Sequence, residues 1–137
     1  MNRYFKIYIL LPVLLAFQSC ELLTTGGDPT KLEMISKTWK VDIALIDNVV
    51  DNTNDYSGYR FEFRSDGSYS FENGSGSAIT GTWELNSNET VMILDEDTDD
   101  ETEVNILEIN EVSLILQFSY AATFKDPAYD LVYELVL

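Results

Sequence analysis

The chain has 137 residues, 45% of them hydrophobic and 12% aromatic, with 24 acidic residues against eight basic ones and a formal charge of −16. So negative a surface repels nucleic-acid phosphates, and recurring apolar and aromatic residues argue for a packed core rather than disorder. There is no histidine and a single cysteine, which removes the commonest general base and the commonest transition-metal ligand.

The N-terminus reads Arg3 and Lys6, then the apolar run Ile7 to Phe17, then Gln18-Ser19-Cys20. A spanning helix needs roughly 20 apolar residues, so this shorter run, interrupted by Pro12, suits the core of a secretory signal. It also lacks the polar face of a helix packed on a protein core. The order resembles a bacterial lipoprotein signal peptide. That resemblance implies that residues 1–19 are removed, that Cys20 is lipidated, and that the product is exported and held at the outer membrane, on its periplasmic or its outward face. Each acyl CH₂ buried in lipid contributes about 0.8 kcal/mol, so several chains on one cysteine anchor durably. Residues 20–29, with Thr24, Thr25 and Gly26-Gly27, would then be a flexible tether. The leader holds two of the eight basic residues and none of the acids, so the remaining 118 residues would carry six bases against 24 acids, a charge of −18. Such a domain stands off anionic headgroups while the lipid holds it.

Beyond the tether, Asp28-Pro29 predicts a helix N-cap followed by proline at the first helical position. Leu32, Met34 and Ile35 would give that short helix its apolar face, and it ends before Trp39. From Thr38 the period becomes two. Trp39, Val41 and Ile43 alternate with Lys40 and Asp42, and Tyr59, Phe61 and Phe63 alternate with Arg60, Glu62 and Arg64. Asp66-Gly67 predicts a two-residue hairpin turn with positive φ, after which Tyr69 and Phe71 continue the apolar face. Asn73 to Ser77 reads as a glycine- and serine-rich turn. Strands are then predicted over Ile79–Leu85, Thr90–Asp95, Glu103–Ile109, Val112–Tyr120 and Tyr129–Leu137. With no second helix to make a βαβ crossover, residues 30–137 are expected to form an all-β, eight-stranded antiparallel up-and-down barrel with a short N-terminal helix, its last strand pairing back to its first.

Three stretches carry a further resemblance: the short helix leading into Trp39, the hairpin Tyr59-Arg60-Phe61-Glu62-Phe63-Arg64-Ser65-Asp66-Gly67-Ser68-Tyr69, and Gly81-Thr82-Trp83-Glu84-Leu85. Their order is similar to that of the small lipocalin-like domains of Gram-negative lipoproteins. The resemblance implies a pocket for one small apolar ligand at the barrel mouth. The expected inward-facing residues are Trp39, Tyr59, Phe61, Phe63, Tyr69, Phe71, Trp83, Phe118 and Tyr133. Eight strands enclose room either for these rings alone or for one small ligand among them, so a filled interior and a ligand pocket both stand.

No catalytic constellation emerges. The serines cluster in turns without an activating base, and acids are too abundant for any pair to be diagnostic. The chain is expected to be non-enzymatic, with no cofactor and no nucleic-acid partner. Asp95, Asp97 and Asp99 share the alternate spacing of the first ligands of an EF-hand loop, but Asp100 and Ile106 stand where glycine and the bidentate glutamate belong. Asp51-Asn52-Thr53-Asn54-Asp55 is a second oxygen-rich loop. Either a weak calcium site or plain solvated turns accounts for them. Two functions follow: a lipid-anchored module holding a small hydrophobic ligand, or an interaction lipoprotein whose solid barrel contacts another envelope protein.

Overall fold

In the computed structural model, which describes residues 27–137, the first element is a five-residue helix, α1 (Lys31–Ile35), capped by Thr30. The leader, Cys20 and the first part of the tether lie outside the described residues. The Thr30 hydroxyl accepts the Glu33 N–H, and the Glu33 carboxylate accepts the Thr30 N–H. This reciprocal capping box satisfies two otherwise orphaned amides. The cap expected at Asp28 is thereby corrected: position 31, three residues on, is a lysine that cannot close such a box, and Pro29 stands ahead of the cap.

Nine strands follow: β1 (Thr38–Ile46), β2 (Val49–Val50), β3 (Tyr59–Phe63), β4 (Ser68–Asn73), β5 (Ala78–Leu85), β6 (Val91–Leu94), β7 (Thr102–Ile109), β8 (Ser113–Tyr120) and β9 (Tyr129–Val136). All pair antiparallel with their sequence neighbours, except that β1 pairs with β3 and, through Lys40↔Val136 to Ile46↔Leu131, with β9. The β1–β9 pairing closes eight strands into a barrel and leaves β2 as a flap on β1.

The tight two-residue turn expected at Asp66-Gly67 forms elsewhere. Asp47 and Asn48 have φ of 49° and 65° between the paired Ile46 and Val49, so they form the tight two-residue turn that creates β2. At Asp66-Gly67 only Gly67 has positive φ, 82°. The loop there spans Arg64 to Gly67, closed by Arg64 N–H donating to the Ser68 carbonyl and by Asp66 accepting the Ser68 N–H.

Alternation also breaks twice. A bulge between Val41 and Ile43 shifts the register of β1 against β9, and Ala44 rather than the expected Ile43 enters the core. A second between Ile106 and Glu108 in β7 leaves Leu107 outward and 54% exposed. One extra residue on one strand flips the facing of everything beyond it.

The helix end of the barrel is solid. Ile35, Trp39, Met92, Val104, Leu114 and Leu116 are fully buried, with Phe63, Trp83 and Leu135 nearly so. The Trp39 indole N–H donates to the Ile35 carbonyl at 2.9 Å, fastening α1 across this end. The Trp83 indole N–H donates to the Arg64 carbonyl, also at 2.9 Å, and its ring lies edge-on to Phe63 at 5.4 Å. Lys31 and Lys37 donate to the backbone carbonyls of Glu89 and Glu111 in the loops after β5 and β7, which tie the helix down from outside.

Candidate ligand site at the open end of the barrel

The end opposite α1 is where β4, β6 and β8 finish and β3, β5, β7 and β9 begin. Among the described residues nothing comparable to the helix covers it, and a cavity of about 280 Å³ opens there. Six rings line it: Phe61, Tyr69, Phe71, Phe118, Tyr120 and Tyr133. Ile79, Leu94 and Thr102 complete the wall. The volume lies at the lower limit of pockets that take small molecules, ~300–1,000 Å³.

Cross-strand pairing sets this wall. Phe61 pairs with Phe71 between β3 and β4, and their rings stack at 4.6 Å. Tyr120 pairs with Tyr129 between β8 and β9, and these rings stack at 4.8 Å on the rim. Tyr133 touches Phe61 and Phe118, each at 5.8 Å between centroids, and so joins the two halves of the wall. Burial raises the pKa of the Tyr133 hydroxyl well above the ordinary tyrosine value, reinforced by its tyrosine neighbours, so the wall is neutral at physiological pH.

A second cleft of about 490 Å³ adjoins the first, sharing Tyr69, Ile79, Leu94 and Thr102 with it and adding Asp95, Thr98 and Asp100. Here the Asp95 carboxylate accepts the Thr82 N–H at 2.9 Å through Oδ1 and the Tyr69 hydroxyl at 2.8 Å through Oδ2. Burial, and then the hydrogen bond to Asp95, drives the Tyr69 hydroxyl pKa upward. Gly81 makes the approach possible. A Cβ there would sit 2.0 Å from Asp95 Oδ1 and 2.7 Å from Tyr69 Cε1.

On the other flank, β1 and β3 pair only over Thr38–Lys40. The segment 51–58 fills the gap beyond, with Tyr56 set edge-on to Tyr59 at 4.9 Å and to Tyr133 at 5.8 Å. The Tyr56 hydroxyl donates to Asp51 at 2.7 Å. Burial and that carboxylate push its pKa up to about 12. Asp51 also accepts from Thr53 and Asn54, and the three side-chain donors hold its carboxyl far below the usual range.

The nine expected interior residues therefore divide by depth. Trp39, Phe63 and Trp83 belong to the packed end; Phe61, Tyr69, Phe71, Phe118 and Tyr133 line the cavity; and Tyr59 braces it from behind through Phe71 at 5.6 Å. A filled interior and a pocket both exist, at opposite ends. Ile79, Leu94, Thr102 and Tyr120 were not among the expected residues. For two of them the signal was parity: Tyr120 is two beyond Phe118, and Ile79 two before Gly81.

The calcium-like spacing of Asp95, Asp97 and Asp99 does not gather their carboxylates in this structure. Among the described residues no group of three acidic, histidine or cysteine side chains is placed to hold a metal ion. The reason is the turn itself. Asp95 and Asp97 adopt left-handed φ of 52° and 60°, Asp95 turns toward Thr82 and Tyr69, and the Asp97 N–H is bound by the Glu101 carboxylate. In the Asp51–Asp55 loop, Asp51 likewise accepts from Thr53, Asn54 and Tyr56, and Asp55 accepts the Ser57 N–H.

A family model described as a lipocalin-like domain matches residues 35–116, from the end of α1 into β8. The closing strand β9 lies beyond the match. No curated protein and no solved structure matches the chain.

Proposed function

The chain belongs to the lipocalin-like domain family, and from that premise we propose that it is a non-catalytic binding protein that takes one small hydrophobic or amphipathic molecule into the open end of its barrel. The observation that carries this reading is the asymmetry of the interior: the helix end is packed solid, whereas six rings at the other end surround about 280 Å³ of cavity. Each CH₂ of a ligand moved from water into such a space contributes about 0.8 kcal/mol. The rings that would receive it are braced by one another and need little rearrangement, which limits the ordering cost of binding.

The same reading places the domain in the cell envelope, tethered by lipid on Cys20 so that the barrel samples molecules near a membrane. Its support is the order of the N-terminal sequence: two basic residues, an apolar run, then the only cysteine. Native mass spectrometry of the protein extracted gently from its membrane tests the ligand reading. An added mass that organic solvent removes is expected; protein that is repeatedly free of any such mass points to the alternative, a scaffold that contacts another envelope protein.

A further inference from the structure

We propose that the open end selects organic cations: an apolar body seated among the rings, and an ammonium or similar positive head held at the rim by Asp95. This inference rests on the ligand-binding reading above and specifies the class of ligand.

Three observations converge. The first is the wall. Phe61, Phe71, Phe118, Tyr69, Tyr120 and Tyr133 present ring faces and edges around one cavity, and aromatic faces attract a desolvated cation within about 6 Å of the ring centroid. The second is the carboxylate. Asp95 sits in the adjoining cleft, which shares Tyr69, Ile79, Leu94 and Thr102 with the cavity. Each of its oxygens accepts one hydrogen bond and keeps a further lone pair open. The Tyr69 and Thr82 donors fix its position without neutralising it.

The third is the distribution of charge. Six of the seven residues from Asp95 to Glu101 are acidic, and Asp47, Asp51, Asp55 and Asp126 lie in the other loops at this end. Among the described residues no lysine or arginine lines the cavity or the rim cleft. Of the six basic residues among those described, Lys31 and Lys37 are held at the opposite end by backbone carbonyls, Arg64 pairs with Glu62, and Lys40 and Arg60 lie on β1 and β3, which leaves Lys125, beside Asp126, as the single base against ten acids in the loops at this end. So large an excess of negative charge over an apolar cavity concentrates cations and turns anions away. Fatty acids, which share the same apolar body, are disfavoured by their head.

Three probes that share an eight-carbon chain separate head from body: octyltrimethylammonium, octanol and octanoate, each titrated calorimetrically against the 20–137 chain at pH 7. The ammonium is expected to bind at least about tenfold tighter than octanoate, with octanol between them. Raising salt from ~20 to ~500 mM should shrink that ratio several-fold while octanol is unaffected, because screening acts only on the charged head. Asp95→Asn should lower ammonium affinity several-fold and spare octanol. Asp100→Asn, whose side chain carries no hydrogen bond among the described residues, provides a second charge removal on the rim and should act in the same direction more weakly. Equal affinity for all three heads, or tighter octanoate, overturns the cation preference and leaves the ligand-binding reading standing. An ammonium preference untouched by both variants removes Asp95 and the rim from the assignment. If none of the three probes binds, both readings fail together.

Discussion

The Asp95 carboxylate and the Tyr69 hydroxyl meet at 2.8 Å across an intervening strand, above the backbone of Gly81. Tyr69 pairs with Gly81 between β4 and β5, while the residue before Asp95, Leu94, pairs with Trp83 between β5 and β6. Three adjacent strands are thus locked by one hydrogen bond over the one position in β5 that lacks a side chain. The lock stands beside the cavity and fixes both a ring of its wall and the charge on its rim.

Replacing Gly81 with alanine should break this lock by collision. The new Cβ would lie 2.0 Å from Asp95 Oδ1, so the carboxylate must leave. The expected loss is about 1–3 kcal/mol, as for other overpacked sites. Urea unfolding of Gly81→Ala and of Gly81→Ala/Asp95→Ala would measure it. The double variant should lose less than the sum of the two single ones, since the colliding group is gone.

Tyrosine ionisation should limit stability on the alkaline side. The Tyr69, Tyr133 and Tyr56 hydroxyls all have pKa values raised above the ordinary 10.0, chiefly by burial. The folded chain therefore keeps protons that the unfolded chain gives up. This contribution is complete below the unfolded value and declines as pH rises beyond it. Unfolding free energy should accordingly fall above about pH 10, and Tyr69→Phe should make that fall shallower. At neutral pH the same variant should cost about 0.5–1.5 kcal/mol for the hydrogen bond it removes. A pH profile that does not bend on the alkaline side would contradict the buried, neutral state of these rings.

The helix end should behave as a structural plug. Ile35 is fully buried and its carbonyl receives the Trp39 indole, so Ile35→Ala should destabilise by about 2–5 kcal/mol. Because Ile35 is remote from the cavity wall, probe affinity measured below the melting transition should be unchanged. A parallel loss of binding would show that the two ends are coupled.

On the lipid anchor proposed at Cys20, the parent chain should partition with membranes and take up labelled palmitate, and Cys20→Ser should be recovered in the soluble fraction without label. Retention of the serine variant in the membrane fraction would require another means of attachment.

The barrel was legible in the sequence because its strands obey one rule. Tyr59-Phe61-Phe63, Tyr69-Phe71 and Leu131-Tyr133-Leu135 alternate, and an eight-strand closed barrel follows from that pattern with short connections. What escaped was local backbone geometry. Asp47-Asn48 carries no glycine, so the tight turn that produces β2 is hidden, whereas Asp66-Gly67 advertises a two-residue turn and forms a longer loop instead. The bulge in β1 moves Ala44 inward in place of Ile43, because period-two reasoning has no means of counting an extra residue. At the site, five of the nine expected rings line the cavity. Depth along the axis separates them from the three that pack the other end, and depth depends on strand stagger, which side-chain alternation does not encode. Asp95 was legible as an acid but not as the partner of Tyr69, since that pairing is made through register across β5.

The cavity at the open end should bind one small apolar molecule. The direct test is a fluorescence titration of the 20–137 chain with N-phenyl-1-naphthylamine, beside Ile79→Trp. Ile79 lines the cavity yet is 60% exposed at the start of β5, so an indole there should occupy the space without disturbing the packed end. Saturable enhancement with one site per chain, abolished in Ile79→Trp while its melting temperature is retained, is the predicted result. No enhancement in the parent chain, or equal enhancement in the variant, would contradict it.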